Sequence, residues 1–334
     1  MRDGTAARAA RVRALDTCPP ADTVSGPSPD VRQPRLSIIV AFHDMVREAP
    51  RTLYTLSARY QRGVSESEYE VIAVDIGSEH PLDAALVEGM GPNFRLVRTA
   101  SEPSPAAAIN RCARQSRGEI VCVCIDGARM LSPGIVRLMC DAIGLSHDPV
   151  IATLSFHLGP KLQNISMEEG YCQAVEDRLL DSVDWRSDGY GLFGASSLAA
   201  SSAFGWFAPL GESNCLAVRR ALFDRLGGLD ERFRAPGGGF VNLDYYRRAV
   251  DAADALVILL GEGTFHQFHG GVATNIPLAQ LTHLGFDAEY RALRGTDYMP
   301  PGRSPILVGG CHAAAIPWIA KSAELAIREQ AGAG

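Results

Sequence analysis

The carboxylate of Asp126 stands at the end of an apolar segment, where a ligand site is expected. Ile120 to Ile125 contains only Ile, Val and Cys, which predicts a buried strand that ends at Asp126. In open α/β sheets, ligands bind outside the carboxyl ends of the strands. A single carboxylate there can bind Mg²⁺ or Mn²⁺ when other oxygens and a further protein ligand complete the coordination shell. The structural alternative is that Asp126 caps the turn before Ser132–Pro133.

His266 and His269 form a second group of candidate ligands, and they directly precede Gly270–Gly271. An extended backbone would direct two imidazoles at this spacing to opposite faces, whereas a helical turn would align them. Imidazole suits Mn²⁺ better than Mg²⁺. We therefore expect one of the two to bind a metal, while the other lies near the bound substrate or is structural.

The elements that must position these residues alternate between apolar strands and helices. Predicted strands cover 36–42, 70–75, 94–98, 119–125 and 150–157, and predicted helices cover 47–61, 81–89, 104–116 and 133–144. Beyond residue 160 we expect helices at 167–183, 219–226 and 242–254, and strands near 213–218 and 255–260. This alternation predicts an α/β fold with a mostly parallel, Rossmann-like central sheet flanked by helices.

Composition bounds the class of protein. The 334 residues are 46% hydrophobic and 21% charged, which suits a soluble globular protein, and the net charge of −6 argues against nucleic-acid binding. The eight cysteines form no Cys-x-x-Cys pair, so we expect reduced thiols. Gly189–Gly211 carries no charge but is too rich in Gly and Ser for a membrane helix, and we expect a loop without a transmembrane segment.

The first 35 residues differ from the rest. They hold six Arg, four Asp and five Pro but no aromatic residue and no Ile, so we expect a disordered arm at 1–35. No secretory signal is recognisable in it. The expected location is the cytoplasm, or the periphery of a membrane.

In their order and spacing, these segments resemble the GT-A glycosyltransferases, in particular the family 2-like enzymes that use nucleotide-diphosphate sugars. The resemblance covers roughly residues 36–270, and its most specific part is Leu226–Phe233, which is similar to the family's Gly-Gly-Phe-Asp-Glu-x-Phe stretch. It implies a nucleotide-sugar-binding half at 36–160 and an acceptor-binding half with a C-terminal helix at 161–334. The donor-binding residues that it implies are Ala41, Phe42, His43, Asp75, Gly77, Ser78, Ala108, Asn110, Ile125, Asp126, Gly127 and Ala128.

The family holds its cation with an Asp-x-Asp motif after the fourth strand. Here Asp126–Gly127–Ala128 keeps only the first carboxylate. Some GT-A families also place a metal-binding His near the position of His266. The resemblance therefore implies Mn²⁺ or Mg²⁺ held by Asp126, His266 and His269, unless Arg129 replaces part of the metal's charge.

The residue that would deprotonate the acceptor is less clear from the resemblance, because Val241 and Asn242 stand where the family has an acidic pair. Asp244 is the first substitute, and Glu212 and Asp230 are alternatives. Asp244 can equally be a first-turn carboxylate of a helix, and without a base a retaining mechanism becomes plausible. The acceptor-binding candidates are Trp185, Trp206 and Asn242.

The activity that the resemblance implies is that of a hexosyltransferase. It would move a sugar from a nucleotide-diphosphate donor, most commonly a UDP-sugar, to a glycan, lipid-linked or natural-product acceptor. A catalytically degenerate domain that binds nucleotide sugar as a scaffold is the alternative that Ala128 and Asn242 motivate. Another nucleotide-binding α/β enzyme fits less well, because no glycine-rich phosphate loop follows the first strand. The amphipathic segment 316–330 could pack on the core or mediate a homodimer.

Overall fold

One sheet organises residues 33–332, the part of the chain that the computed structural model describes. The expected disordered arm at 1–35 lies outside the described residues, apart from its last three positions. The strands are β1 Leu36–Phe42, β2 Tyr69–Ile76, β3 Phe94–Thr99, β4 Ile120–Cys124, β5 Arg129–Leu131, β6 Pro149–Leu158, β7 Ser196–Leu198, β8 Cys215–Arg219, β9 Ala255–His266 and β10 Ile306–Gly309. The helices are α1 Ala49–Leu56, α2 Ala84–Glu88, α3 Ala106–Gln115, α4 Ile135–Ala142, α5 Gln163–Glu168, α6 Gln173–Asp181, α7 Arg220–Leu226, α8 Val241–Ala252, α9 Phe286–Arg294 and α10 Ile316–Gly332.

The strand order is β10-β9-β6-β8-β4-β1-β2-β3, with β5 paired to β9 and β7 to β6. The pairs β1–β2, β2–β3, β1–β4, β6–β9 and β9–β10 are parallel, whereas β8 is antiparallel to both β4 and β6. The carboxyl ends of β1, β4 and β9 therefore lie at the same edge of the sheet. This mostly parallel sheet confirms the predicted α/β fold class.

Both faces of the central strands are covered, since every residue of β1, β2 and β4 is buried. Alternate side chains enter two apolar clusters, so that Ile39 belongs to one cluster and Ile38 and Val40 to the other. This explains why the strands appear in the sequence as continuous apolar segments rather than as alternating ones.

A bend in β9 brings its second half to the candidate site. Gly261 has φ of +76°, and a Cβ there would lie 2.0 Å from the carbonyl oxygen of Gly310, so only glycine fits. The pairing of β9 with β6 shifts register at this point. Beyond the bend, β9 also pairs with β5 and places His266 opposite Arg129.

Several predicted elements differ from the structure. The helix expected at 167–183 is two helices, α5 and α6, and the strand expected at 255–260 continues to His266. The predicted halves at 36–160 and 161–334 share the sheet, because β8 lies between β4 and β6. Gly189–Gly211 consists of 3-10 turns and β7. Within residues 33–332, no helix has both the length and the apolar character that crossing a membrane requires.

Candidate active site

Asp126 lies two residues beyond the end of β4, and its side chain is 18% exposed. Its Oδ1 accepts a hydrogen bond of 3.0 Å from the main-chain N–H of Ala128, which fixes the carboxylate in the turn between β4 and β5. Oδ2 is 3.1 Å from His266 Nε2, and Oδ1 is 3.7 Å from His269 Nε2. The three candidate metal ligands predicted from the sequence thus meet at one point.

The two histidines converge because the chain leaves β9 directly after His266. Their Nε2 atoms are 3.0 Å apart, and His266 is 1% exposed whereas His269 is 11% exposed. The Nδ1 of His266 is 2.8 Å from Oε1 of Gln163, the first residue of α5. An amide oxygen only accepts, so His266 carries its proton on Nδ1 and directs the lone pair of Nε2 towards Asp126.

The ionisation states suit metal binding. Burial opposes ionisation of Asp126, but the nearby His266, His269 and Arg129 outweigh it and hold the pKa of this carboxyl well below its usual range. Burial lowers the pKa of His266 to about 4, although the Asp126 carboxylate acts in the opposite direction. Near pH 7 the cluster therefore presents a carboxylate and a neutral imidazole, which are the forms that bind metals.

The donor set fits a small divalent cation. Adjacent ligands of an octahedral shell lie about 3 Å apart, since metal–ligand distances are about 2.1 Å. The distances of 3.0 Å between the two histidine nitrogens and 3.1 Å between His266 and Asp126 match such edges. With its proton on Nδ1, His266 Nε2 faces an anionic oxygen without a proton between them, so a cation would relieve their repulsion. One oxygen and two nitrogen ligands favour Mn²⁺ over Mg²⁺.

Arg129 adds a positive charge beside the cluster. It is 8% exposed, and its Nε lies 3.2 Å from Asp126 Oδ2 but forms no well-aligned hydrogen bond with the described residues. Its Nη1 is 3.5 Å from Ser155 Oγ. The Nε–H of this buried guanidinium thus lacks a well-aligned partner, and because Arg129 also lines the cleft described next, its positive charge can interact with an anionic ligand.

A cleft of about 980 Å³ opens over these groups. Its walls come from the carboxyl ends of β1 and β4, the loop after β9 and the start of α8. Of the residues predicted from the sequence, it is lined by Ala41, Phe42, His43, Ile125, Asp126, Glu212, Asn242, His266 and His269. His43 is held in place because its Nδ1 lies 2.8 Å from the carbonyl oxygen of Ile76.

Asp75 does not face this cleft. It is 2% exposed, and its Oδ2 accepts from the main-chain N–H of Leu82 at 2.8 Å. Its Oδ1 accepts from the hydroxyl of Ser78 at 2.5 Å. Gly77 lies in the same turn. Asp75, Gly77 and Ser78 therefore shape the turn after β2. The carboxylate of Asp75, which the resemblance assigns to the nucleotide base, already accepts hydrogen bonds from this turn.

Other residues assigned to the donor are structural as well. The Nδ2 of Asn110 donates to the carbonyl of Leu229 and to Glu231 Oε1, each at 2.9 Å, and so joins α3 to the turn after α7. Ala108 and Ala128 are 0% exposed in the core. The carbonyl of Gly127 accepts from Thr52. The third position of the Asp-x-Ala segment is therefore packed among apolar side chains.

The carboxylates of Asp244 and Asp230 form ion pairs with arginines. Asp244 is 1% exposed and accepts hydrogen bonds from Arg248 Nε at 2.7 Å and Arg294 Nε at 2.5 Å. Asp230 accepts from Arg232 and from Arg294. Neither carboxylate lines the cleft. The choice of Asp244 as first candidate base does not fit this arrangement, since its charge and both oxygens serve the ion pairs.

Glu212 does line the cleft and is half-buried. Its Oε2 accepts a hydrogen bond of 2.6 Å from Asn242 Nδ2. Asn242 also donates to the main-chain carbonyl of Ser213 at 3.2 Å. Asn242, at the position of the family's acidic pair, thus orients the carboxylate of Glu212.

The two tryptophans do not contact the cleft. Trp206 is 0% exposed and donates its indole N–H to the carbonyl of Leu259 at 2.9 Å. Trp185 is 2% exposed and packs edge-on against Tyr54. Both tryptophans predicted to bind the acceptor are therefore core residues, whereas Asn242, the third candidate, lines the cleft. Trp206 belongs to the uncharged segment, which folds onto the sheet instead of forming an open loop.

Sequence reasoning missed the residues that hold the histidines. Gln163 contacts His266, and Glu176 and Arg47 bind the main chain of Phe268, at 2.6 Å and 3.0 Å respectively. These partners are about 90 to 220 positions from the residues they hold. No local sequence pattern marks such contacts.

Neither the protein-family models nor the curated proteins include a match to the chain. Solved structures do match. S. aureus TarS 1–349 has 16% identity and a TM-score of 0.47, with 70% of this chain and 60% of that chain covered. The same fragment with UDP-GlcNAc has 15% identity, a TM-score of 0.45 and coverages of 77% and 66%. The mannosyltransferase PcManGT from Pyrobaculum calidifontis, in complex with GDP-Man and Mn²⁺, has 20% identity, a TM-score of 0.43 and coverages of 89% and 72%.

The chain thus spans less than two thirds of the TarS 1–349 structure. Two of these structures are complexes with a nucleotide sugar, UDP-GlcNAc in one and GDP-Man in the other.

Proposed function

We propose that the protein is a divalent-metal-dependent glycosyltransferase. It transfers a sugar from a nucleoside diphosphate donor, with a UDP-sugar as first candidate, to a hydroxyl of a glycan, lipid-linked or natural-product acceptor. The observation that carries the proposal is the cluster of Asp126, His266 and His269 in the wall of the large cleft. A metal and an anionic substrate can meet there at the carboxyl ends of the strands.

The departure of the nucleoside diphosphate requires positive charge. Bound Mn²⁺ or Mg²⁺ would stabilise the negative charge that develops on the diphosphate. The residues that would hold the ion are Asp126, His266 and His269. Arg129 lies beside them, its Nε without a well-aligned hydrogen bond, and we assign its guanidinium to the diphosphate oxygens as a second positive group.

Glu212 is the proposed general base. Its Oε2 is held by Asn242, while Oε1 has no partner among the described residues and can accept the proton of the acceptor hydroxyl. A base in this position supports inversion, in which the hydroxyl attacks opposite the leaving diphosphate. Asn242 acts as a positioning residue for the base.

The donor would lie along the carboxyl end of β1, where Ala41, Phe42 and His43 line the cleft. The main-chain contact of His43 with Ile76 keeps its imidazole at the rim. Asp75 is assigned an indirect role, since its carboxylate shapes the neighbouring turn.

One observation favours a second candidate, a domain that binds nucleotide sugar without turnover. The motif supplies a single carboxylate, and the position of Ala128 is buried in the core. This alternative predicts donor binding with no hydrolysis and no transfer to any acceptor.

Calorimetric titration tests the proposal. Wild-type protein and Asp126→Asn are titrated with UDP, GDP and dTDP, each with and without Mn²⁺, and the sugar donor of the best-binding nucleotide is then assayed for hydrolysis. Mn²⁺-dependent binding with slow hydrolysis, both lost in Asp126→Asn, supports the proposal. Binding without hydrolysis or transfer supports the second candidate. The absence of nucleotide binding would refute both.

A further inference from the structure

Two side-chain amides connect the candidate metal-binding histidines. The Nδ1–H of His266 donates to Gln163 Oε1 at 2.8 Å, and Gln163 Nε2 donates to Asn275 Oδ1 at 2.7 Å. Asn275 Nδ2 in turn donates to the main-chain carbonyl of His269. The series therefore begins at one histidine and ends at the other, and we call it the amide relay.

The direction of the relay is fixed at its main-chain end. A carbonyl oxygen can only accept, so Asn275 must present its Nδ2 to His269 and its Oδ1 to Gln163. Gln163 must then present its Nε2 to Asn275 and its Oε1 to His266. An amide that is free to rotate would allow either tautomer of the imidazole, whereas this arrangement allows only the one with the proton on Nδ1.

The surroundings of Gln163 leave its side chain little freedom. It is 1% exposed, and its main-chain N–H donates to His157 Nδ1 at 2.8 Å. The next residue, Asn164, donates to the carbonyls of Ala273 at 2.9 Å and Ile276 at 2.7 Å. The start of α5 thus holds the loop that carries His269 and Asn275 against the end of β9.

We propose that Gln163 and Asn275 are positioning residues for the metal site, which set the tautomer of His266 and tie the backbone of His269 to it. This inference rests on the metal site of the proposed function. Partners of this kind, which accept the second ring N–H of a metal-binding histidine, orient the ring, and their loss typically weakens metal binding about 10-fold to 100-fold.

The test uses Gln163→Leu, Asn275→Leu, Gln163→Glu and the double variant Gln163→Glu/Asn275→Leu. Gln280→Leu is the matched control, because Gln280 is exposed in the segment just beyond the loop. The first measurement is ¹⁵N NMR of histidine-labelled, metal-free protein, with the His266 signals assigned through His266→Ala. The second is the Kd for Mn²⁺ by calorimetry, and thermal unfolding verifies that each variant is folded.

We expect wild type and Gln280→Leu to show the Nδ1–H tautomer of His266. Gln163→Leu and Asn275→Leu should give mixed tautomers and a Kd for Mn²⁺ about 10-fold to 100-fold higher. A glutamate accepts at both oxygens, so Gln163→Glu should restore the Nδ1–H tautomer even in the Asn275→Leu background. A role limited to packing would not produce this rescue.

The inference is overturned if the folded Gln163→Leu and Asn275→Leu variants keep both the tautomer and the Kd of the wild type. If wild type does not bind Mn²⁺ but the tautomer changes as expected, the relay is supported and the metal site of the proposed function is refuted. The two proposals can therefore fail separately.

Discussion

Glu176 accepts a hydrogen bond of 2.6 Å from the main-chain N–H of Phe268, one of the two residues between the candidate metal-binding histidines in the loop after β9. Glu176 is 0% exposed, and its Oε1 lies 3.2 Å from Arg47 Nη2. Arg47 also donates to the carbonyl of Phe268 at 3.0 Å. The ion pair between the buried Glu176 and the partly exposed Arg47 thus holds both polar groups of the Phe268 backbone.

Replacing Glu176 should therefore destabilise the protein. Glu176→Ala would leave the N–H of Phe268 without an acceptor and remove one of three carboxylates that contact Arg47, since Glu48 and Asp177 remain. We expect a loss of about 1–3 kcal/mol in the free energy of unfolding, measured in urea. Asp177→Ala is the matched control, because Asp177 binds the same arginine but is 43% exposed. Its expected loss is below about 1 kcal/mol. Equal losses in the two variants would contradict this account.

Asp126→Asn should abolish metal binding and leave the fold intact. The variant keeps an oxygen that can accept from the N–H of Ala128 but removes the only carboxylate of the cluster. We expect donor turnover to fall by about 10²-fold or more, since charge stabilisation of the leaving group is lost. Calorimetry with Mn²⁺ and a donor-hydrolysis assay measure the two effects. Undiminished turnover would reject the metal role of Asp126.

Replacing His266 and replacing His269 should weaken metal binding to different degrees. His266 is nearly inaccessible and is fixed by Gln163, whereas His269 is more exposed and lies on the loop. His266→Ala should raise the Kd for Mn²⁺ more than His269→Ala does, with each change at least about 10-fold. A larger effect of His269→Ala would show that the loop, not the strand end, supplies the main imidazole ligand.

The Glu212→Gln variant distinguishes a role of Glu212 as general base from a role in binding donor or metal. An amide cannot take the proton of the acceptor, so we expect kcat to fall by about 10²-fold to 10⁴-fold while the Kd values for donor and Mn²⁺ stay unchanged. Asp244→Asn serves as the comparison, because its carboxylate is bound to Arg248 and Arg294 outside the cleft. That variant should lose stability but retain kcat. The reverse pattern would restore Asp244 as the base.

The sequence predicts the parts of the fold that local patterns determine. Apolar segments locate β1, β2, β4 and β6 to within one or two residues, because these strands are buried on both faces. The partly exposed edge strand β3 is located equally well. The predicted end of β4 also places Asp126 at the edge of the sheet. The bend at Gly261 is not predicted, since it depends on the approach of Gly310 from a distant part of the chain.

The sequence also does not show which carboxylates are already bound by arginines and which are free to react. Asp244 and Glu212 are both acidic residues near the start of a helix or strand. Only the fold brings Arg294, 50 positions away, to Asp244. The amide relay cannot be predicted from the sequence either, because it also depends on contacts between distant parts of the chain. Gln163 and Asn275 are 112 positions apart, and each would appear as an ordinary polar residue.

Asp230 gives a prediction for the pH dependence of stability. Hydrogen bonds from Arg232, and further ones from Arg294, lower the pKa of this carboxyl below its usual range, although burial acts in the opposite direction. A group whose pKa is depressed by folding stabilises the protein above the pKa of the unfolded chain, about 3.9, and this contribution disappears as the pH falls through the folded value.

Asp230→Asn should therefore be less stable than wild type at pH 6. The expected difference is about 1 kcal/mol, a modest figure because Arg232 is 63% exposed and water screens the pair. Urea unfolding between pH 6 and pH 2 should show the two proteins converging as the pH falls, and a difference that is constant across this range would mean that the ionisation of Asp230 does not contribute.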